Sequence, residues 1–258
     1  MRQLFFLFFF GACVSLQGQL LELDYRSPLK SESHLSIRFF RQIMLGITTL
    51  RHIDATVEVM NIKFNTAGGL LAGFSVVGTQ AFWVGNKDDK RNNLSHLLNP
   101  TGGTNGSLYF LIPLQEQEKS NLRFSSRLGL KLIDGTPLRG FKSSFLNSHA
   151  ELGLVFQKLL YENAPENERI DFWIYPQLML NQINKEDLTV FFDNHLQPLS
   201  IGYGLQTGVE FNQKLRLTFL LNQFVNTLKS ESIGIPVLRF NLAYRFQNIK
   251  VIPAKKLN

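Results

Sequence analysis

Cysteine is almost absent: the 258 residues contain one, Cys13. A lone thiol excludes an internal disulfide and any multi-cysteine metal centre. Charge is scarce, at 18% of residues, where about 25% is usual for a soluble domain. Tryptophan occurs twice and tyrosine six times, against 23 phenylalanines. A chain this poor in charge and rich in phenylalanine must hide apolar surface, in a core or in lipid. Long apolar runs are also missing beyond the N-terminal stretch. No other segment offers the roughly 18 consecutive apolar residues that a membrane helix needs. The net charge of +7 comes from scattered single residues. No Lys/Arg run and no nucleic-acid motif is visible, so nucleic acid is not an expected partner. A basic balance leaves anionic lipid head groups and acidic glycans as candidates.

Residues 1–19 read as an export signal. Arg2 supplies the positive start, Leu4 to Ala12 form a phenylalanine-rich apolar core, and small or polar residues follow through Gly18 and Gln19. Cleavage is expected near Gly18 or Gln19, which would remove the only cysteine. Phe10-Gly11-Ala12-Cys13 also loosely resembles a lipoprotein signal, in which Cys13 would carry lipid. Residues 20–258 are expected to form one domain.

Strict alternation dominates that domain. From Leu122 to Leu132 one face reads Leu122, Phe124, Ser126, Leu128, Leu130, Leu132; the other reads Arg123, Ser125, Arg127, Gly129, Lys131. Ile201 to Phe211 sets Ile201, Tyr203, Leu205, Val209 and Phe211 against Gly202, Gly204, Gln206, Gly208 and Glu210. Leu238 to Phe246 sets Leu238, Phe240, Leu242, Tyr244 and Phe246 against Arg239, Asn241, Ala243 and Arg245. A helix would scatter these residues around its circumference, so they are strands. Ten are expected, near 34–41, 55–64, 70–84, 107–114, 121–133, 148–160, 171–182, 199–211, 214–225 and 236–247.

The links between them alternate. Asn65–Gly69, Gln115–Ser120 and Asn212-Gln213 are short, and Tyr161–Ile170 at the same end is longer but still polar. Gln42–Asp54, Gly85–Gly106, Asp134–Asn147, Ile183–Pro198 and Asn226–Ile235 are mostly longer. Short turns at one end and long loops at the other, with an even strand count, describe an up-and-down barrel of the outer-membrane type. Without a spanning helix, a closed barrel is the one structure that satisfies every backbone group in lipid. The expected fold is therefore an all-β antiparallel transmembrane barrel of about ten strands, with eight or twelve as alternatives, in a cell outer membrane. The tail Val251–Asn258 reads as a short periplasmic extension. Arg123, Arg127, Lys131, Glu151, Glu210, Arg216, Arg239 and Arg245 are expected to line the lumen, as a narrow pore or as an interlocked charged filling.

Several segments carry a family resemblance. Asn212-Gln213-Lys214-Leu215, Ile233-Gly234-Ile235-Pro236 and Leu242-Ala243-Tyr244-Arg245-Phe246 resemble the end of Bacteroidetes outer-membrane proteins related to lipid A 3-O-deacylase, the acyloxyacyl hydrolases. Leu108–Leu114, Leu122–Gly135 and Ser148-His149-Ala150 resemble the middle of the same group. The resemblance covers about half of residues 20–258 and argues for eight strands rather than ten. It implies lipid A or lipopolysaccharide as a partner and the barrel-assembly machinery during insertion; no cofactor is expected, and nothing in the histidine spacing suggests a metal. It also implies an esterase site with a histidine and a serine two residues apart on a late strand, where the imidazole takes the hydroxyl proton. The corresponding strand, Leu217 to Val225, departs from that pattern. By strand phase the pair falls on Leu221 and Gln223; counted back from Phe246 it falls on Leu220 and Asn222. Without a base, a hydroxyl stays protonated and is a poor nucleophile. The catalytic residues are therefore unknown and the expectation is a non-catalytic, envelope-associated relative. An active ester hydrolase with an unidentified site, or a small pore or surface-binding barrel, are the alternatives.

The histidines are His34, His52, His96, His149 and His195. Ser33-His34, Ser95-His96 and Ser148-His149 are adjacent pairs, and adjacent strand residues point to opposite faces. These read as scattered surface or strand-end histidines. Lys87, Asp88, Asp89, Lys90 and Arg91 sit in an expected loop that could touch phosphates or simply be solvated. Trp83, and Trp173 with Tyr175, fit either an interfacial belt or ordinary packing.

Overall fold

The computed structural model describes residues 34–48, 52–66, 70–84, 104–117, 122–135, 145–163, 166, 168–184, 198–225, 237–246 and 251–253. The proposed export signal lies outside them. Ten long strands follow one another: β1 (His34–Thr48), β2 (His52–Asn65), β3 (Leu71–Val84), β4 (Thr104–Gln117), β5 (Leu122–Gly135), β6 (Phe145–Asn163), β7 (Glu168–Ile183), β8 (Leu199–Phe211), β9 (Leu215–Phe224) and β10 (Val237–Arg245). Each pairs antiparallel with its neighbours in sequence, and β10 pairs with β1, so the sheet closes on itself. The fold is an all-β, ten-stranded, up-and-down barrel. The eight strands argued by the family resemblance are not observed.

The four links between β2 and β3, β4 and β5, β6 and β7, and β8 and β9 lie at one end, the turn end. At the last, Asn212 and Gln213 both take positive φ, 51° and 58°, and the Lys214 N–H donates to the Phe211 carbonyl at 2.9 Å. Two left-handed residues give the twist that a tight hairpin needs. The opposite end carries the links 85–103, 136–144, 184–198 and 225–236.

Two expectations about the ends need correction. The first link is short, 49–51, because β1 continues to Thr48. Its pairing with β2 shifts register between Phe39 and Gln42, and Phe40 has φ 47°. This bulge sets Phe39 and Phe40 both outward, 62% and 63% exposed, and Arg41 and Gln42 both inward. Beyond it the register with β2 has moved by one, while even-numbered residues of β1 again face inward, as Ser36 does before it. The tail is not a free extension at its start either. Val251–Pro253 forms a short strand, β11, paired with His34–Ser36 of β1 in the register already set by β10.

The two faces differ in kind. Along β7 the inward residues are Asp171, Trp173, Tyr175, Gln177, Met179, Asn181 and Ile183, all buried. The outward ones from Ile170 to Leu180 are apolar, and Leu178 is 65% exposed. At about 3.4 Å per residue and a tilt of about 40°, the span 170–180 covers roughly 26 Å along the axis. That matches the ~25 Å apolar band of membrane barrels. Leu45, Ile47, Leu128, Leu130, Leu152, Ile201, Leu217, Phe240 and Leu242 continue the band around the wall, each more than a third exposed. In water such a surface would drive aggregation; in hydrocarbon it is solvated.

Candidate functional site

The lumen is where the chain places its charged side chains. Alternation puts every second residue of each strand inside, and the interior groups assort into clusters at different heights.

Midway along β4–β7, Arg127 forms an ion pair with Glu151. Its Nη1 donates to the Tyr175 hydroxyl at 3.4 Å. The guanidinium lies 5.4 Å from the ring centres of both Tyr109 and Tyr175. His149 Nε2 is 3.8 Å from Glu151 Oε2. Leu71, Tyr109, Leu111, Val155, Trp173 and Tyr175 pack as one buried cluster beside this centre. Three of them lie against glycine, Tyr109 over Gly73 among them. A Cβ on Gly208 would meet the Trp173 ring at 2.6 Å, and one on Gly153 would meet Tyr175 at 2.6 Å. The missing side chains let the large rings lie flat along the inner wall.

On the other side, Arg239 of β10 reaches across β1 to Asp54 of β2. Its Nη1 and Nη2 donate to Asp54 Oδ2 and Oδ1 at 2.6 and 2.7 Å, and its Nε donates to Asn241 Oδ1 at 2.6 Å. The guanidinium passes directly over Gly46 of β1, where any Cβ would collide with it. This fork is therefore a clasp across the closing seam. Below it, Ser75 Oγ and Asn61 Nδ2 donate to Glu58 Oε1 at 2.8 and 3.0 Å, and Arg41 Nε lies 3.4 Å from Glu58 Oε2. Toward the turn end, Glu210 holds Arg216 and, at 2.9 Å, Arg245. Arg169 forks onto Asp171 at 2.6 and 3.0 Å.

Arg127, Tyr109, Trp173, Tyr175, Asp54 and Glu210 are each at most 1% exposed. Side chains rather than solvent fill the cross-section at these levels. Of the eight charges expected inside, Arg127, Glu151, Glu210, Arg216 and Arg239 are buried there and Arg245 is partly so. The Arg123 and Lys131 side chains lie outside the described residues. Sequence reasoning missed Asp54, Glu58, Arg41 and Asp171. Asp54, Thr56 and Glu58 recur at every second position of β2, a period that could have revealed the acids.

The residues read as interfacial or surface groups need revision. Trp173 and Tyr175 are completely buried in the lumen rather than in an interfacial belt. His149 is an interior residue, 6% exposed, rather than a surface one, and Ser148 faces the other way. The side chains of His34, His52 and Trp83 lie outside the described residues, as do His96, His195 and the basic segment 87–91. At the positions matched to the esterase pair, Leu221 and Gln223 face outward while Leu220 and Asn222 face inward, so the two possible registers select opposite walls. Among the described residues no group of three His, Cys, Asp or Glu converges as a metal site.

No protein-family model matches the chain, and no curated protein matches it. Among solved structures it is similar to the β-domain of the Bordetella autotransporter BrkA, at 9% identity and a TM-score of 0.39, covering 84% of this chain and 100% of that one. The architecture is that of an outer-membrane-type β-barrel, read from the strand ladder and the two faces themselves. The deacylase resemblance rests on the quoted segments alone.

Proposed function

We propose that this chain is exported by residues 1–19, inserted by the barrel-assembly machinery, and resident in an outer membrane as a non-conducting, non-catalytic barrel associated with envelope lipid. The observation that carries this reading is the filled lumen. Arg127 lies ion-paired between two tyrosines, and the Asp54–Arg239 fork spans the seam. Opening a solute path would separate buried charges, at several kcal/mol per pair. The outward wall supplies the other half of the argument, since its apolar band has the height of a bilayer core.

The resemblance to the Bacteroidetes acyloxyacyl hydrolases supports lipid A or lipopolysaccharide as the contacting lipid. The missing His/Ser pair supports loss of the acyl-ester chemistry. The test is direct. The chain is expressed in an outer-membrane-bearing host and purified into planar bilayers. Unchanged lipid A mass and no conductance steps are expected. Loss of an acyl chain would establish an active ester hydrolase with a site elsewhere. Reproducible unitary conductance would establish a pore.

A further inference from the structure

Among the described residues, the outward wall of β6 and β7 carries one charged group, away from the hairpin tip, that the apolar band does not explain. Lys158 of β6 is exposed and follows the outward sequence Leu152, Leu154 and Phe156; Leu160 comes next. Its side chain makes no hydrogen bond or ion pair among the described residues. The other described charges of β6 and β7 either point inward, as Glu151 and Asp171 do, or sit at the hairpin tip, as Glu162 and Glu168 do. An ammonium left unpaired against hydrocarbon is unstable, so it needs an anion or water within reach of its stem.

Its position decides which. Lys158 pairs across the sheet with Leu122, the first residue of β5, and with Phe172 of β7. One outward position further on β7, Ile170 pairs with Phe211, the last residue of β8. Lys158 thus lies one outward position inside the turn-end edge of the apolar band, close enough for its stem to carry the ammonium to the level where acyl chains give way to head groups. Below it lies a shelf of rings. Phe124 and Phe156 are cross-strand partners with ring centres 4.5 Å apart, and Phe172 lies diagonally beside Phe156. The register shift between Leu159 and Tyr161 adds two consecutive exposed residues at the rim, Leu160 at 54% and Tyr161 at 45%.

We propose that Lys158 and this shelf form a seat for a glycerophospholipid of the turn-side leaflet. The phosphate pairs with the Lys158 ammonium, and the acyl chains lie on Phe124, Phe156 and Phe172. This rests on the membrane-spanning reading. The match is one of charge and shape: a single cation at the edge of an apolar platform fits a single anion at the head of an apolar chain.

The full chain is purified in a non-ionic detergent and titrated with phosphatidylglycerol, with retained lipid counted by native mass spectrometry. Folding is checked by heat-modifiable migration on gels. The wild type is expected to retain phosphatidylglycerol. Lys158→Met keeps the stem and is expected to bind it about fivefold more weakly, the effect of one interfacial lysine. Lys158→Arg is expected to restore binding. Diacylglycerol, which lacks the phosphate, is expected to bind like the Met variant, and millimolar inorganic phosphate is expected not to displace the lipid. Equal retention by the wild type and Lys158→Met would overturn the proposal, as would equal binding of diacylglycerol. Displacement by inorganic phosphate would show a free-anion site and also overturn it. Failure of the wild type to insert into vesicles, measured separately, would sink the membrane reading itself.

Discussion

The two sides of the lumen are filled by different means. From β3 to β8 the interior holds a cluster of rings and apolar groups, Leu71, Tyr109, Leu111, Val155, Trp173 and Tyr175, beside the Arg127–Glu151 pair, with Arg169–Asp171 and Glu210 nearer the turn end. Around β10, β1 and β2 it is mainly ion pairs and amides: Asp54 with Arg239, Asn241, and Glu58 with Arg41 and Asn61. The first sector joins hairpins adjacent in sequence, whose contacts close short loops. The second joins strands from the two ends of the chain; Asp54 and Arg239 are 185 residues apart. Closing so large a loop is entropically costly, and a bidentate fork selects one partner in one register where a greasy contact would tolerate several. The comparison therefore assigns packing to one sector and registration to the other.

The largest expected effect is on the clasp. Arg239→Ala leaves Asp54 charged and buried, and should cost about 3–5 kcal/mol, read as a shift of the urea midpoint followed by heat-modifiable gel migration. Asp54→Asn combined with Arg239→Met should recover part of that loss, since it removes both charges together. Trp173→Ala should cost a similar 3–5 kcal/mol through a cavity, yet no charge-neutralising partner should rescue it. If rescue worked equally in both sectors, the division proposed here would fail.

The outer wall should ignore the division. Ile174→Arg and Leu242→Arg, one on each sector, should each destabilise by about 2–4 kcal/mol toward mid-bilayer, measured as folding free energy into vesicles. A large difference between them would mean that one side does not face lipid. Gly46→Ala should cost about 1–3 kcal/mol, because the new methyl displaces a guanidinium pinned at all three nitrogens. In an Asp54→Asn/Arg239→Met background the same change should be nearly neutral. The smallest effect is expected at Thr207, whose hydroxyl donates to the Trp173 carbonyl at 2.9 Å. Thr207→Val should change stability by about 1 kcal/mol or less, visible only as a small midpoint shift.

Much of the architecture was legible because alternation is local. Leu122–Leu132, Ile201–Phe211 and Leu238–Phe246 each declare their two faces without reference to any other strand. Alternation failed where the period itself broke. The bulge at Phe39–Gln42 puts two residues on each face in succession, so counting in a fixed phase ends β1 at Arg41 and turns its second half into a loop. Trp173 and Tyr175 were ambiguous for another reason. A large ring suits an interfacial belt or a lumen equally well, and the choice depends on whether a facing strand offers a glycine, as Gly153 and Gly208 do. Lys158 was legible in principle, since it interrupts the apolar phase of β6, but its level relative to the rim depends on where neighbouring strands begin.

The sequence by itself determined the strand ladder, the antiparallel order and the chemical identity of the two walls, because a period of two needs only residues i and i+2. Only the tertiary structure decided that β1 closes on β10, that Arg239 crosses Gly46 to reach Asp54, and that His149 points inward beside Glu151. Those facts depend on the stagger with which ten strands close into a ring. That stagger brings together residues far apart along the chain, and no local pattern encodes it.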